Sequence, residues 1–566
     1  MLWSRAARLA VMVSASACLG LGFGLNYGKS NQSLYLLDSV RKLHPELWTR
    51  DWLAHTQHYH PLYEKLGTLM LRLDPTGWAI ALANVAAVGV GLWCVYRLLR
   101  SLLDEPEAFV GFMLVLTLAA ACSTDGVGGS YVFSDIFQPS TLGSVGLLGA
   151  SLAFVSGRCL LAGLCLAFAG AFHLNYLLLG LCVFGVAWLA SGKEQRFRRG
   201  LWLLGPSLPV LLWFLPILMA SSGTGGPAVA EEARRLFQDV RAPHHYRVAS
   251  FVVEFLPWLG FQLLGVAALW SAAKRGAAVE RRLLGLLLGF IALISCAALL
   301  SSVVLVRAVD QLFAWRVSPH ANLLAQVALV VFMIRAFGDA TFSARRLSGS
   351  ELVLGALGAS CLALAAVLGT SREAALVGLG IVLLLLLGPR LRRLPGVTIP
   401  PSARLQCLIF GLLCALVFGA SLGKVLHLGR RSDLLSGRDA DVDALCGWLA
   451  KSTPKDALLL TPPSEEDIRF RCQRAIVVDW KSNPAMPDEV IAWAKRIEDV
   501  TGRHPLQREA DLSGYESLDA ARLEHLRARY GFDTLVLHRG SSLALALEPG
   551  QPPDFSRGRF LAYRLH

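Results

Sequence analysis

The stretch TRDWLAHTQHYHPLY, residues 49–63, gathers Arg50, Asp51, His55, His58 and His60 in one short run. Imidazoles beside a carboxylate and a guanidinium can build a metal site, a proton relay or a sugar-handling site. They also occur in ordinary wet loops. Asp51 reads either as a general base or as the cap of a helix containing Trp52 and Leu53. On a helix, His55 and His58 would share a face and His60 would turn away. Without a fixed acidic partner, such a pair is a weak zinc signal. The expected form is an interfacial amphipathic helix with Trp52, Tyr59 and Tyr63 at the headgroups.

Four later segments carry similar residues. STDGVGGSYVFSDIFQPS holds Asp125 and Asp135 among glycines, as ligands or as turn residues. AFHLNY places His173 and Asn175 at a tight turn, where they bind a ligand or merely cap. RAPHHYR holds Arg241, His244, His245 and Arg247, and RAVDQLFAWRVSPH holds Asp310, Arg316 and His320. Guanidinium binds phosphate bidentately, either in a specific site or at lipid headgroups.

The elements that position these residues follow from composition. The chain has 566 residues, of which 54% are hydrophobic, and its mean hydropathy is +0.50. Charged residues make up 17%, against about a quarter in soluble proteins. The predicted fold class is therefore mainly α, a polytopic transmembrane helical bundle. Candidate spans are 9–25, 78–96, 109–122, 142–155, 160–173, 177–190, 201–220, 251–270, 283–304, 321–337, 352–368, 375–387 and 405–422, about thirteen in all. The first is read as an uncleaved anchor, because its apolar run continues past Ala15–Cys18.

Basic residues near span ends set the orientation. Arg5, Arg8, Arg97, Arg100 and the clusters at 193–199, 274–282, 345–346 and 390–393 all fall on the N-terminal side by span counting. That side is cytoplasmic, which places every segment quoted above outside. Cytoplasmic anchoring accounts for most of the net charge of +13, so no nucleic-acid partner is expected.

The division is a membrane domain, 1–423, and an extracytoplasmic α/β domain, 424–566. In the tail, 441–449 has helical spacing with an acidic start, and 457–460, 475–478 and 534–537 read as short buried strands. Residues 518–530 form an amphipathic helix. Nothing in the tail looks catalytic, and a lid or binding role is expected. Most of the twelve cysteines lie in spans, while Cys446 and Cys472 lie in the tail. A helix packed on a sheet would bring this pair within the roughly 7 Å that a disulfide spans. The alternative is two buried thiols.

Asn31–Leu36 (NQSLYL), Pro45–Leu47, Arg50–Trp52 and the tail run Ser452–Ala457, with an anchor, a long first outer loop and a closing outer domain, resemble the GT-C superfamily of membrane glycosyltransferases. The resemblance implies a polyprenyl-phosphate-linked sugar donor, membrane lipid as partner, and a bacterial cytoplasmic (inner) membrane location. In that family a first-loop Asp or Glu acts as base or metal-site member, and Asp51 matches it. His244 and His245 would join it as catalytic residues. Substrate would be held by Arg50, His55, His58, Asp125, Asp135, His173, Asn175, Arg241, Arg247, Arg316 and His320. The first loop lacks an Asp-Asp or Asp-x-Asp pair, so no cofactor is assigned and a divalent metal stays an open alternative. The rival readings are a transporter or lipid-linked-saccharide flippase and a non-enzymatic envelope scaffold. The first would show charged mid-membrane residues and inverted repeats. The sequence leaves the oligomeric state unspecified.

Overall fold

A computed structural model describes residues 25–56, 59–105, 107–109, 111–112, 114–115, 126–190, 196–223, 226–274, 278–302, 312–342, 439–482 and 484–565. The first loop folds into α1 (Asn31–Tyr35), α2 (Leu37–Leu43) and α3 (Pro61–Leu73). The bundle follows, with α4 (Trp78–Arg100), α5 (Pro139–Val155), α6 (Cys159–Phe172), α7 (Leu174–Ala190), α8 (Arg196–Leu204) and α9 (Ser207–Gly223). Next come α10 (Gly226–Arg235), α11 (Pro243–Tyr246), α12 (Val252–Lys274), α13 (Ala278–Ser302) and α14 (Ser318–Phe342).

Among the described residues, four helical stretches are long and apolar enough to cross a membrane: 78–100, 252–270, 278–302 and 314–335. A fifth forms if α8 and α9, bent by 45°, count as one span. Helices α5, α6 and α7 are shorter and apolar. Of the expected spans, 9–25, 352–368, 375–387, 405–422 and most of 109–122 lie outside the described residues, as does the 423/424 boundary. Close crossings use small residues, as membrane helices must when both lipid and side chain are apolar. A Cβ on Gly289 would sit 2.4 Å from the Val183 carbonyl oxygen, so α13 and α7 meet there backbone to backbone.

The tail contains α15 (Ala440–Ser452), α16 (Ile468–Cys472), α17 (Pro487–Thr501), α18 (Ala520–Tyr530) and α19 (Ser542–Leu547). Its strands are β1 (Leu458–Leu460), β2 (Ala475–Ile476), β3 (Thr534–His538), β4 (Phe555–Arg557) and β5 (Phe560–Arg564), in the order β2-β1-β3-β5-β4. β1 is parallel to β2 and β3, while β5 is antiparallel to β3 and β4. Side chains alternate across the pleat, so neighbouring residues serve opposite cores. Leu459 packs with Leu445, Leu449 and Ile476 on one face, and Leu458 and Leu460 pack with Trp493 and Ile497 on the other. Burial on both faces explains why these strands read as unbroken apolar runs. Cys446 and Cys472 are joined by a disulfide, with Cα atoms 4.4 Å apart.

The tail is docked on the first loop and on residues 233–240. Ala233, Leu236 and Val240 complete its second core. Arg50 donates to Asp533 and to the Gly531 carbonyl, both at 2.5 Å, and Trp48 Nε1 donates to the Arg469 carbonyl at 3.1 Å. The expected interfacial helix around Trp52, Tyr59 and Tyr63 is corrected here. Residues 53–55 make a 3-10 turn, and α3 starts only at Pro61. Arg496 lies over the Trp52 ring, Tyr59 donates to the Ala485 carbonyl, and Tyr63 is buried and donates to the Phe137 carbonyl. These aromatics serve contacts within the protein, which satisfy the two tyrosine hydroxyls as headgroups would have done.

Candidate functional site

A cavity of about 310 Å³ opens where the first loop, segment 237–246, Arg316 and the tail domain meet. Tyr35, Asp38, His60 and Glu64 line it from the first loop; Glu466, Trp480, Lys481 and Glu509 line it from the tail. Arg241, His244 and His245 complete one wall.

Arg241 ends a π-helical turn, Leu236–Arg241, that continues α10. Such turns are rare and frequent at functional sites. Its guanidinium lies 5.1 Å from the Trp480 ring centroid, and its buried Nε has no hydrogen-bond partner. Burial pushes the Arg241 pKa down, against the opposing pull of Glu466 and Asp479. Arg316 Nη1 lies 2.8 Å from His173 Nε2, its guanidinium is 4.5 Å from the Phe313 ring centroid, and its Nε is also buried without a partner. Phe313 has φ 44 and ψ 55, a left-handed backbone that a bulky side chain rarely adopts. The Phe313 ring also packs on His245 and Tyr246. Neither arginine has a carboxylate partner among the described residues.

His245 Nδ1 donates to the Gly128 carbonyl at 3.0 Å, which leaves the lone pair on Nε2. Gly128 has φ 68, and a Cβ there would lie 3.0 Å from the Trp315 ring, so glycine alone keeps this approach open. Burial pushes His245 down to about 4; burial, then Arg241, also lowers His244. Both imidazoles are therefore neutral near pH 7. Of the cavity carboxylates, Asp38 pairs with Arg41 at 3.2 Å and Glu64 contacts Lys42. Glu466 is 3.7 Å from Lys481, and burial raises its pKa.

Asp51 is elsewhere. It is fully buried, and both oxygens are committed. Oδ1 accepts from the Leu53 and Ala54 amides at 3.0 and 3.3 Å. Oδ2 accepts from Arg469 Nε at 2.9 Å and from the Ile476 amide at 3.0 Å. Arg469 also pairs with Asp479 and donates to Ser482 Oγ. Asp51 thus joins the first loop to the tail, and its geometry is that of a cap and buried ion pair.

The remaining expectations divide. Arg241, Arg316, His244 and His245 share the cavity, and His173 touches it through Arg316. Arg50 and Arg247 are held by Asp533 and Asp239. His55 is exposed on the Thr49 carbonyl. Asp135 binds Asn26 and Lys29. His320 is buried beside Tyr176, and Asn175 is half-buried in α7. None of these six lines the cavity. His58, Asp125 and Asp310 lie outside the described residues.

Glu466, Trp480 and Lys481 were not singled out in the sequence, although Glu465-Glu466-Asp467 lies in the loop after β1, at the carboxyl edge where open α/β sheets place their ligands. Among the described residues no group of three or more His, Cys, Asp or Glu side chains could hold a metal ion.

Residues 440–500 match a family described as a domain of unknown function, DUF6798. No curated protein matches the chain. Among solved structures, ArnT from Cupriavidus metallidurans bound to undecaprenyl phosphate is similar at 16% identity and a TM-score of 0.52, covering 98% of this chain and 96% of that one. Its apo state gives 15% identity and a TM-score of 0.52, with 99% and 98% covered. The Archaeoglobus fulgidus oligosaccharyltransferase tethered with an acceptor peptide follows at 10% identity and 0.47, covering 94% of this chain and 69% of that one. The end-to-end likeness to ArnT shows a GT-C-like fold.

Proposed function

We propose that this chain is a membrane glycosyltransferase that moves a sugar from a polyprenyl-phosphate-linked donor at the outer face of a bacterial cytoplasmic membrane. One observation carries the reading. Two guanidinia without carboxylate partners among the described residues reach one cavity between a GT-C-like bundle and the tail domain. When the sugar C1–O bond breaks, negative charge builds on the departing lipid phosphate. Arg241 and Arg316 are placed to take up that charge, and the partly desolvated cavity strengthens the interaction. The acceptor's proton needs a base with a free lone pair. His245 Nε2 and the Glu466 carboxylate offer one in the cavity, whereas Asp51 has none to spare.

The test is binding of undecaprenyl phosphate to the purified protein, with undecaprenol as control. Wild type prefers the phosphorylated lipid, and Arg241→Gln and Arg316→Gln each weaken binding roughly ten- to a hundredfold, the range for a hydrogen bond to a charged group. Equal binding of both lipids by wild type would remove the anion site on which the reading stands.

A further inference from the structure

We propose that His173 is a positioning residue that holds the Arg316 guanidinium in the cavity for the phosphate of a lipid-phosphate ligand. This rests on the reading of the cavity as a phosphate site and adds to it how one of its two arginines is held.

Guanidinium only donates hydrogen bonds. The 2.8 Å contact between Arg316 Nη1 and His173 Nε2 therefore requires the lone pair on Nε2 and the proton on Nδ1. The His173 ring is held by packing and by its place in the backbone, its buried Nδ1 having no hydrogen-bond partner among the described residues. His173 lies at the break between α6 and α7, where its amide donates to the Ala169 carbonyl at 2.9 Å. Its ring packs against His60 and Tyr176, with centroids 5.1 and 5.3 Å away. His60 is itself anchored, its Nδ1 donating to the Phe172 carbonyl at 2.9 Å.

The chemical type of the partner matters. A carboxylate here would orient Arg316 and also neutralise it. A neutral imidazole orients the guanidinium and leaves its full charge for an incoming anion. The Phe313 ring does the same from the other side, as an uncharged platform 4.5 Å from the guanidinium. Arg241 has the matching arrangement over Trp480. Arg241 also feels the pull of Glu466, Asp479 and Glu509, so the uncharged clasp belongs to Arg316.

The experiment measures undecaprenyl phosphate binding by the full-length protein. His173→Phe keeps a ring without an acceptor, and His173→Leu is a second apolar variant in case the first does not fold. Each weakens binding about tenfold or more, the usual effect of losing a bond to a charged group. His173→Gln restores an acceptor near Nε2 and binds within about threefold of wild type. In an Arg316→Gln background, His173→Phe costs nothing further, because its effect passes through Arg316. Wild-type binding by both apolar variants, or losses that simply add in the double variant, would overturn the assignment while leaving the phosphate site intact. Failure of wild type to distinguish undecaprenyl phosphate from undecaprenol removes both proposals.

Discussion

At the residue scale the chemistry turns on which charges are already satisfied. Asp51 and Arg316 are both charged groups drawn from segments expected outside, yet their environments are opposite. Asp51 is enclosed by two amides, Arg469 and the Ile476 amide, whereas among the described residues Arg316 meets a neutral imidazole and an aromatic face. Removing one member of a buried ion pair costs about 3–5 kcal/mol, because the other charge stays buried. Asp51→Asn should therefore lower the melting temperature and membrane level of the protein, as read by thermal unfolding in detergent. A variant that melts like wild type but has lost turnover would instead return Asp51 to the role of base.

At the element scale the tail domain is tied together by one covalent link and by a charged cluster on its sheet edge. The disulfide closes a loop between α15 and α16, with a sequence separation of 26 residues. Chain entropy assigns such a link about 3 kcal/mol. Cys446→Ser should lose roughly that much stability, and wild type unfolded without reductant should take up no alkylating reagent at either tail cysteine. At the end of β3, His538 lies 2.7 Å from Glu516 and 3.0 Å from Glu465, and Arg559 also pairs with Glu465. The bond to Glu465, then that to Glu516, raises His538 to about 9. The folded pKa lies above the unfolded value of about 6.5, so the stabilisation is complete below that value and is lost as pH rises through about 9. Wild type should lose stability relative to His538→Gln across this window. Parallel melting curves from pH 6 to 10 would show that the cluster contributes nothing.

At the scale of the whole molecule, the cavity has one wall from the first loop, segment 237–246 and Arg316, and a roof from the tail. These must lie on the same side of the membrane. The bias of the basic span ends predicts that this side is the outside, which reporter fusions can check. Fusions after Arg199 and Arg282 should read cytoplasmic, and one after Gly429 should read external. A cytoplasmic signal at Gly429 would separate the tail from an outer-face site and undo the proposed reaction geometry.

Much of this was legible from sequence because the signals are local. Apolar runs mark membrane helices, unbroken β-prone triplets mark strands buried on both faces, and Arg241, His244, His245 and Arg316 stand out as polar groups between apolar runs. Pairing is different. Asp51 meets Arg469 across 418 positions, and Arg316 meets His173 across 143. Whether a carboxylate is a base or a buried clamp, and whether an arginine is spent or available, depends on which distant group lies within about 3 Å. Composition and periodicity describe what each segment buries. Only the folded chain decides what each charge faces, because ion pairing is set by distance in space.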